Sequence, residues 1–228
     1  QFKKVVHISK TTTMVYYFIF DVETTGLPLD YRVDYTNTDN WPRIVQISWS
    51  LKHHNDLEYP EGIKDYIIKP TDFEITEDTT AIHGISSEIA IEKGVLFEDM
   101  LEQLIPDILK CDCIVAHNLH FDENVLLCEL LRYGRTEVIE SISRKQKLCT
   151  KLETIEFCKL RPFRYGNWKW PRLSELYFKL FGTPIDHTQA HNSKYDVEIL
   201  NRCFYEIVSR GITDKCSIRR LRNRIVAL

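Results

Sequence analysis

Residues 15 to 28, VYYFIFDVETTGLP, run an unbroken apolar segment straight into two acids and a glycine turn. The segment Val15–Phe20 reads as a buried strand. A strand's period of two then puts Asp21 and Glu23 on one face. Adjacent carboxylates repel, and the end of a sheet is a costly place to desolvate them. Something must cancel that charge. The pattern Asp-x-Glu alone is weak, since Asp56-Leu57-Glu58 and Asp72-Phe73-Glu74 repeat it in polar, turn-like surroundings and read as solvated surface. The first copy differs because a strand that ends in two acids and a Gly turn suits a metal or phosphate site.

Further elements follow from local pattern. Arg43–Leu51 alternates Val45, Ile47, Trp49 and Leu51 with Gln46, Ser48 and Ser50, which predicts a half-buried strand. Asp65–Lys69 predicts a third strand, stopped by Pro70, and the polar stretch from Asp30 to Pro42 an exposed loop longer than the turn expected there. Ser86–Leu109 reads as mostly helical, with Ser86 or Ser87 as N-cap. Cys113–Ala116 is a short strand, Phe121–Tyr133 a helix ended by Gly134, and Gln146–Cys149 a strand before a helix from Thr150. Leu173–Phe181 and Ser193–Val208 are helices ended by Gly182 and Gly211. Strands grouped first, then alternating with helices, predict an α/β fold. Its mixed sheet is antiparallel on one side, parallel on the other and flanked by helices.

Composition narrows the class without naming it. The chain has 228 residues, 43% hydrophobic and 28% charged, with no linker-like segment, so one main domain is expected. The boundaries expected are an extension over 1–13, the domain over 14–211 and a basic tail over 212–228. No apolar stretch approaches the ~20 residues of a membrane span, and QFKKVVHISKTTTM lacks a signal-peptide core. Seven cysteines without a Cys-x-x-Cys framework argue for reduced thiols, an intracellular setting of unspecified compartment, and no zinc site. At a net charge of −3, binding to a polyanion requires local basic patches or bound cations.

Two heptads, AHNLHFD (116–122) and AHNSKYD (190–196), fit Ala-His-Asn-x-x-aromatic-Asp. Asp122 follows a strand and stands three and four residues before Val125 and Leu126; Asp196 stands in the same relation to Ile199 and Leu200. Each acid therefore lies on the buried side of a helix start. Either alone could be an N-terminal acid favoured by the helix dipole. Together with Asp21 and Glu23 they make four carboxylates converging on one sheet end. Such a set calls for divalent cations, two of them, and oxygen-only ligands point to Mg²⁺ or Mn²⁺.

The ordered set DVETTG, HNLHFD and HNSKYD resembles the DEDDh 3′–5′ exonucleases, the DnaQ-like family that includes polymerase proofreading subunits and ribonuclease T-like enzymes. AIHGIS (81–86) is similar to that family's His-Gly-Ile loop, and KWPRLSELYFKLFG (169–182) to the helix before its third motif. The resemblance spans about Val15 to Val208. It implies a ribonuclease H-like fold with a five-stranded mixed sheet and two-metal hydrolysis from a 3′ end. In that scheme Asp21 bridges both metals, Glu23 and Asp196 complete one site, and Asp122 supports the other, through water. His191 is the general base, and His117, which precedes its own Asp by the same spacing, is structural. Thr24, Gly26 and Leu27 approach the terminal nucleotide, with Thr25 in the same turn. Ile82, His83, Asn118 and Phe121 complete its pocket.

The stretch from Lys159 to Arg172 interleaves cations with Phe163, Tyr165, Trp168 and Trp170, which suits either a single strand's path or the anchoring of the next helix. Lys215, Arg219, Arg220, Arg222 and Arg224 form either a solvated helix or a nucleic-acid handle. The expected activity is exonucleolytic cleavage of single-stranded DNA in repair or proofreading. An exoribonuclease and a non-catalytic polymerase accessory are the alternatives. The expected partners are nucleic acid with a free 3′ end and either a polymerase or a second copy of the chain.

Overall fold

The computed structural model describes residues 15–57, 62–161 and 166–213. The N-terminal extension, the basic tail from residue 214 and Phe163 and Tyr165 of the basic-aromatic stretch lie outside the described residues. Strands β1 (Tyr16–Thr24), β2 (Ile44–His53) and β3 (Lys64–Ile67) come first, then helices α1 (Glu77–His83), α2 (Ser87–Lys93) and α3 (Phe97–Lys110). β4 (Cys113–Ala116), α4 (Leu119–Arg132), α5 (Thr136–Arg144) and β5 (Gln146–Cys149) alternate. Short α6 (Thr150–Glu153) and α7 (Ile155–Cys158) lead to α8 (Leu173–Phe181) and α9 (Ser193–Ser209). The sheet order is β3-β2-β1-β4-β5, antiparallel from β3 to β1 and parallel from β1 to β5. This is the mixed sheet expected from the order of elements.

β1 is apolar from Tyr16 to Phe20 because both faces of that stretch are covered. Phe18, Phe20 and Val22 join the larger core with Met100, Leu104, Val125 and Leu126 of α3 and α4. Tyr17 and Ile19 pack with Leu200 and Phe204 of α9 on the other face. The six described cysteines are free thiols. Among the described residues, no helix is long and apolar enough to cross a membrane.

Four local expectations are corrected. The helix expected over Ser86–Leu109 is two helices, α2 and α3, broken at Gly94. A Cβ there would lie 2.3 Å from the Ala90 carbonyl oxygen and 2.7 Å from the Lys69 nitrogen. That close approach lets Ile68 bridge to Val95 and extends the sheet's edge contacts. Gly94→Ala is therefore expected to destabilise the protein by about 2 kcal/mol or more, read as a lower denaturant midpoint. An unchanged midpoint would mean that the junction yields. Helices α1 and α5 are additional: α1 is capped by Thr76 and Gly84 (φ 76°), and α5 buries Val138, Ile139 and Ile142.

The loop over Asp30–Pro42 is not simply exposed. Asn40 and Trp41 are buried. The Asn40 amide side chain holds both backbone groups of Asp30, and the Trp41 indole N–H donates to the Val33 carbonyl. The Arg132 guanidinium donates to the carbonyls of Thr38, Trp41 and Pro42. Finally, the alternating polar residues of β2 are not at the surface: Gln46, Ser48 and Ser50 are at most 2% exposed. α9 covers them.

Candidate active site

β1 pairs with β4 only as far as Ile19, while its pairing with β2 continues to Thr24. Asp21 and Glu23 thus project from a strand that has outrun its parallel neighbour. That is the carboxyl end of the parallel strands, where α/β sheets hold ligands. By strand parity both acids continue the face of Tyr17 and Ile19, which α9 covers. Its first turn is fastened to β2 at the partners of those acids. Ser48, paired with Asp21, shares a hydroxyl hydrogen bond of 2.7 Å with Ser193. Gln46, paired with Glu23, accepts the Ser193 N–H through Oε1 at 3.2 Å. The Ser50 hydroxyl donates to Asn201 Oδ1 further along the helix. These contacts set Asp196, one turn before Leu200, beside the two strand acids. Carboxylate oxygens of Asp21, Glu23 and Asp196 lie within 4.8 Å of one another.

Asp122 approaches from the other side of the sheet end. It is buried in the first turn of α4, with its own N–H and that of Val22 facing its carboxylate. It stands outside the three-acid group, yet its charge acts on both Asp21 and Glu23. Burial, followed by the charges of Asp122, Asp196 and Glu23, raises the Asp21 pKa well above the carboxylate range. Burial, then Asp196 and Asp122, pushes Glu23 up to about 8. Burial takes Asp122 to about 7 although its backbone donors and Lys151 pull it down. Asp196 rises to about 6, again by burial and against His191. The four acids repel each other in a partly dry site. An all-carboxylate donor set with unmet negative charge fits hard divalent cations, which take oxygen ligands, and not soft ones.

The two histidines of the heptads have different surroundings. His191 is exposed, its backbone N–H is directed at the Asp196 carboxylate, and both line the same cleft. It sits in the left-handed region at φ 65°, a conformation costly for most side chains and commoner for His than for most. His117 faces inward. Its Nε2–H donates to the Pro171 carbonyl at 3.0 Å, and its Nδ1 meets the Thr150 hydroxyl at 3.0 Å. Burial lowers its pKa to about 4, so it is neutral near pH 7. His117 ties the end of β4 to the chain entering α8.

The residues expected around a terminal nucleotide separate into surface and support. Leu27 and Ile82 are 71% and 57% exposed, and no atom lies within 4 Å of where a Gly26 Cβ would stand. Phe121 is half-buried, with the rings of Tyr31 and Trp41 each 6.4 Å away. Thr24 is buried, and its hydroxyl donates to the Gly26 carbonyl at 2.6 Å, closing the turn. Thr25 is fixed in the same turn by two hydrogen bonds with Arg43. His83 is buried; its Nδ1 accepts the Ile85 N–H, and Nε2 faces the Thr24 carbonyl without meeting it in hydrogen-bond geometry. Burial lowers the His83 pKa, and the His191 charge adds to that. The side chain of Asn118 accepts the Lys151 ammonium at 2.8 Å.

Lys151 is the site residue that sequence reasoning passed over. It stands in α6, right after β5, and its charge acts on Asp122. The signal available was positional: β5 is parallel to β4, so the residues after both strands emerge at one end of the sheet.

The fold and the site together define a ribonuclease H-like domain with an acidic, metal-competent centre at the end of its first strand. The model of the RNase T exonuclease family matches residues 18–204, and the chain belongs to that family. The family implies divalent metal ions. A DNA polymerase III PolC-type of Mycoplasmopsis pulmonis is 29% identical over 189 residues, which cover 82% of this chain and 11% of that protein. The chain thus spans about a tenth of the length of the curated relatives it matches. The zinc-bound E. coli ExoI–ssDNA complex matches with a TM-score of 0.64 at 18% identity, over 86% of this chain and 41% of that one. The nuclease domain of 3′hExo, a DEDDh family member bound to rAMP, matches at 0.61 and 14% identity, over 88% and 95%. At these identities the structural likeness is one of fold.

Proposed function

We propose that this domain is a metal-dependent 3′–5′ exonuclease acting on single-stranded DNA ends. The observation that carries the reading is the convergence of Asp21, Glu23 and Asp196 within 4.8 Å, with His191 at their edge. Asp21, Glu23 and Asp196 would hold a divalent cation, and Asp21 with Asp122 a second, Mg²⁺ or Mn²⁺ in either place. Cations bound there supply an acidified water and an electrophilic phosphate.

The chain's own residues do the rest. His191 takes the proton of the attacking water, a role that suits an exposed imidazole at neutral pH. Its left-handed backbone turns the ring toward the edge of the acid cluster. The water oxygen joins phosphorus, the bond to the upstream 3′ oxygen breaks, and that oxygen leaves with a proton. The terminal nucleotide departs with its 5′ phosphate. Leu27, Ile82 and Phe121 provide the apolar surface for its base and sugar, and the Gly26 turn lets the backbone approach.

DNA is favoured by the ExoI neighbour, which is described with ssDNA; the 3′hExo neighbour, bound to rAMP, favours RNA. The PolC-type likeness supports a proofreading setting beside a polymerase. The test is 5′-labelled single-stranded DNA and RNA of matched sequence, with Mg²⁺, with Mn²⁺ and with chelator, and Asp122→Ala alongside. A metal-dependent ladder shortening from the 3′ end, lost by about 10³-fold or more in the folded mutant, is expected. Substrate left intact by the wild type, or cleaved normally by the mutant, would refute the assignment.

A further inference from the structure

A cleft of about 650 Å³ opens from Asp196 and His191 and runs along Asn118, Lys151, Trp170 and His187. None of Leu27, Ile82 or Phe121, the surface assigned to the terminal nucleotide, belongs to its lining. Trp170 is 58% exposed, a large apolar ring left open to solvent. The Lys151 ammonium stands 4.8 Å from its ring centroid and donates to the neutral Asn118 amide, so that contact leaves its charge unquenched. Beside four carboxylates, a cation in this position lowers the local negative potential that would repel a phosphodiester.

The chain on either side of the ring is tied down. His117, at the end of β4, donates to the carbonyl of Pro171, the residue after Trp170. Lys169, the residue before it, pairs with Glu175 at 2.5 Å and bridges in backbone to Leu160. Trp170 is thus fixed on both sides yet exposed in the middle. An aromatic face next to a cation is the chemistry that holds a base and its phosphate.

We propose that Trp170 and Lys151 form the subsite for the nucleotide immediately upstream of the scissile phosphate, Trp170 stacking on its base and Lys151 facing its phosphate. The proposal rests on the exonuclease reading of the adjoining acids. It gives the enzyme two base-binding surfaces on opposite sides of the reacting phosphate. A duplex cannot fill both without unstacking its end, so the subsite selects single strands.

The test compares two substrates on the full chain with Mg²⁺. One is oligothymidylate; the other is the p-nitrophenyl ester of thymidine 5′-monophosphate, in which the leaving group replaces the upstream nucleotide. Trp170→Ala is expected to lower kcat/KM on oligothymidylate roughly 5- to 100-fold more than on the ester. Trp170→Phe, which keeps an aromatic face, recovers most of the loss. Equal losses on both substrates, or none on either, overturn the subsite while leaving the exonuclease reading intact. A wild type that hydrolyses neither substrate overturns both.

Discussion

Without metal at pH 8, Asp21→Asn is expected to melt roughly 5 °C above the wild type, while its nuclease activity is abolished. A carboxyl whose pKa is higher in the folded chain than in the unfolded one binds its proton more tightly when folded. Its stabilising contribution is whole below about pH 4, the ordinary carboxylate value, and is lost as pH climbs through the folded pKa. Asp196, Asp122 and Glu23 reach about 6, 7 and 8, and Asp21 is raised as well. The metal-free wild type therefore loses stability between about pH 4 and pH 8. Removing the Asp21 charge, which burial and three neighbouring acids oppose, relieves that loss.

At pH 5 the advantage of the mutant should shrink, because most of these carboxyls are then protonated. His117 has the opposite sign, with a pKa lowered to about 4, but it is common to both proteins and cancels in the comparison. Adding Mg²⁺ or Mn²⁺ at pH 8 should raise the wild-type midpoint and reverse the order. Thermal melts at the two pH values, with and without metal, check all three points. A metal-free wild type that melts above Asp21→Asn at pH 8 would mean that the acids are not in mutual conflict.

His191→Asn should cut kcat by 10²-fold or more, the usual range for a removed general base, with little change in melting temperature. Asn tolerates the left-handed backbone at φ 65°, so the substitution removes the imidazole and spares the turn. His117→Asn should do the reverse. It removes donors and acceptors to Pro171 and Thr150 from a buried site, so its main effect is on stability, with a smaller loss of turnover. Single-turnover rates and melts on both variants separate the two roles. A larger catalytic loss from His117→Asn would assign the base to the wrong heptad.

Much of this site was legible from residues near one another in the chain. Apolar Val15–Phe20 followed by Asp21 and Glu23 specified a strand and a shared face, because side chains alternate at every residue. The relation of Asp122 and Asp196 to the apolar residues after them specified inward direction, because a helix repeats every 3.6 residues. Gly94 was not legible as a break, since what forbids a Cβ there is the Lys69 backbone, remote in sequence. The burial of Gln46, Ser48 and Ser50 was not legible either. Alternating polar residues look the same whether water or the polar edge of a helix faces them.

The sequence by itself determined the mixed sheet, the four acids, and which histidine follows which strand or loop, because periodicity and capping are local properties. Only the tertiary structure decided that Asp196 meets Asp21 and Glu23 through Ser48, Gln46 and Ser193. It alone set His117 against Pro171, and Lys151 beside Trp170 and Asn118. Those contacts join residues far apart in the chain. Their partners are chosen by the pairing of β4 with β5 and by the packing of α8 and α9 against the sheet, which no local pattern encodes.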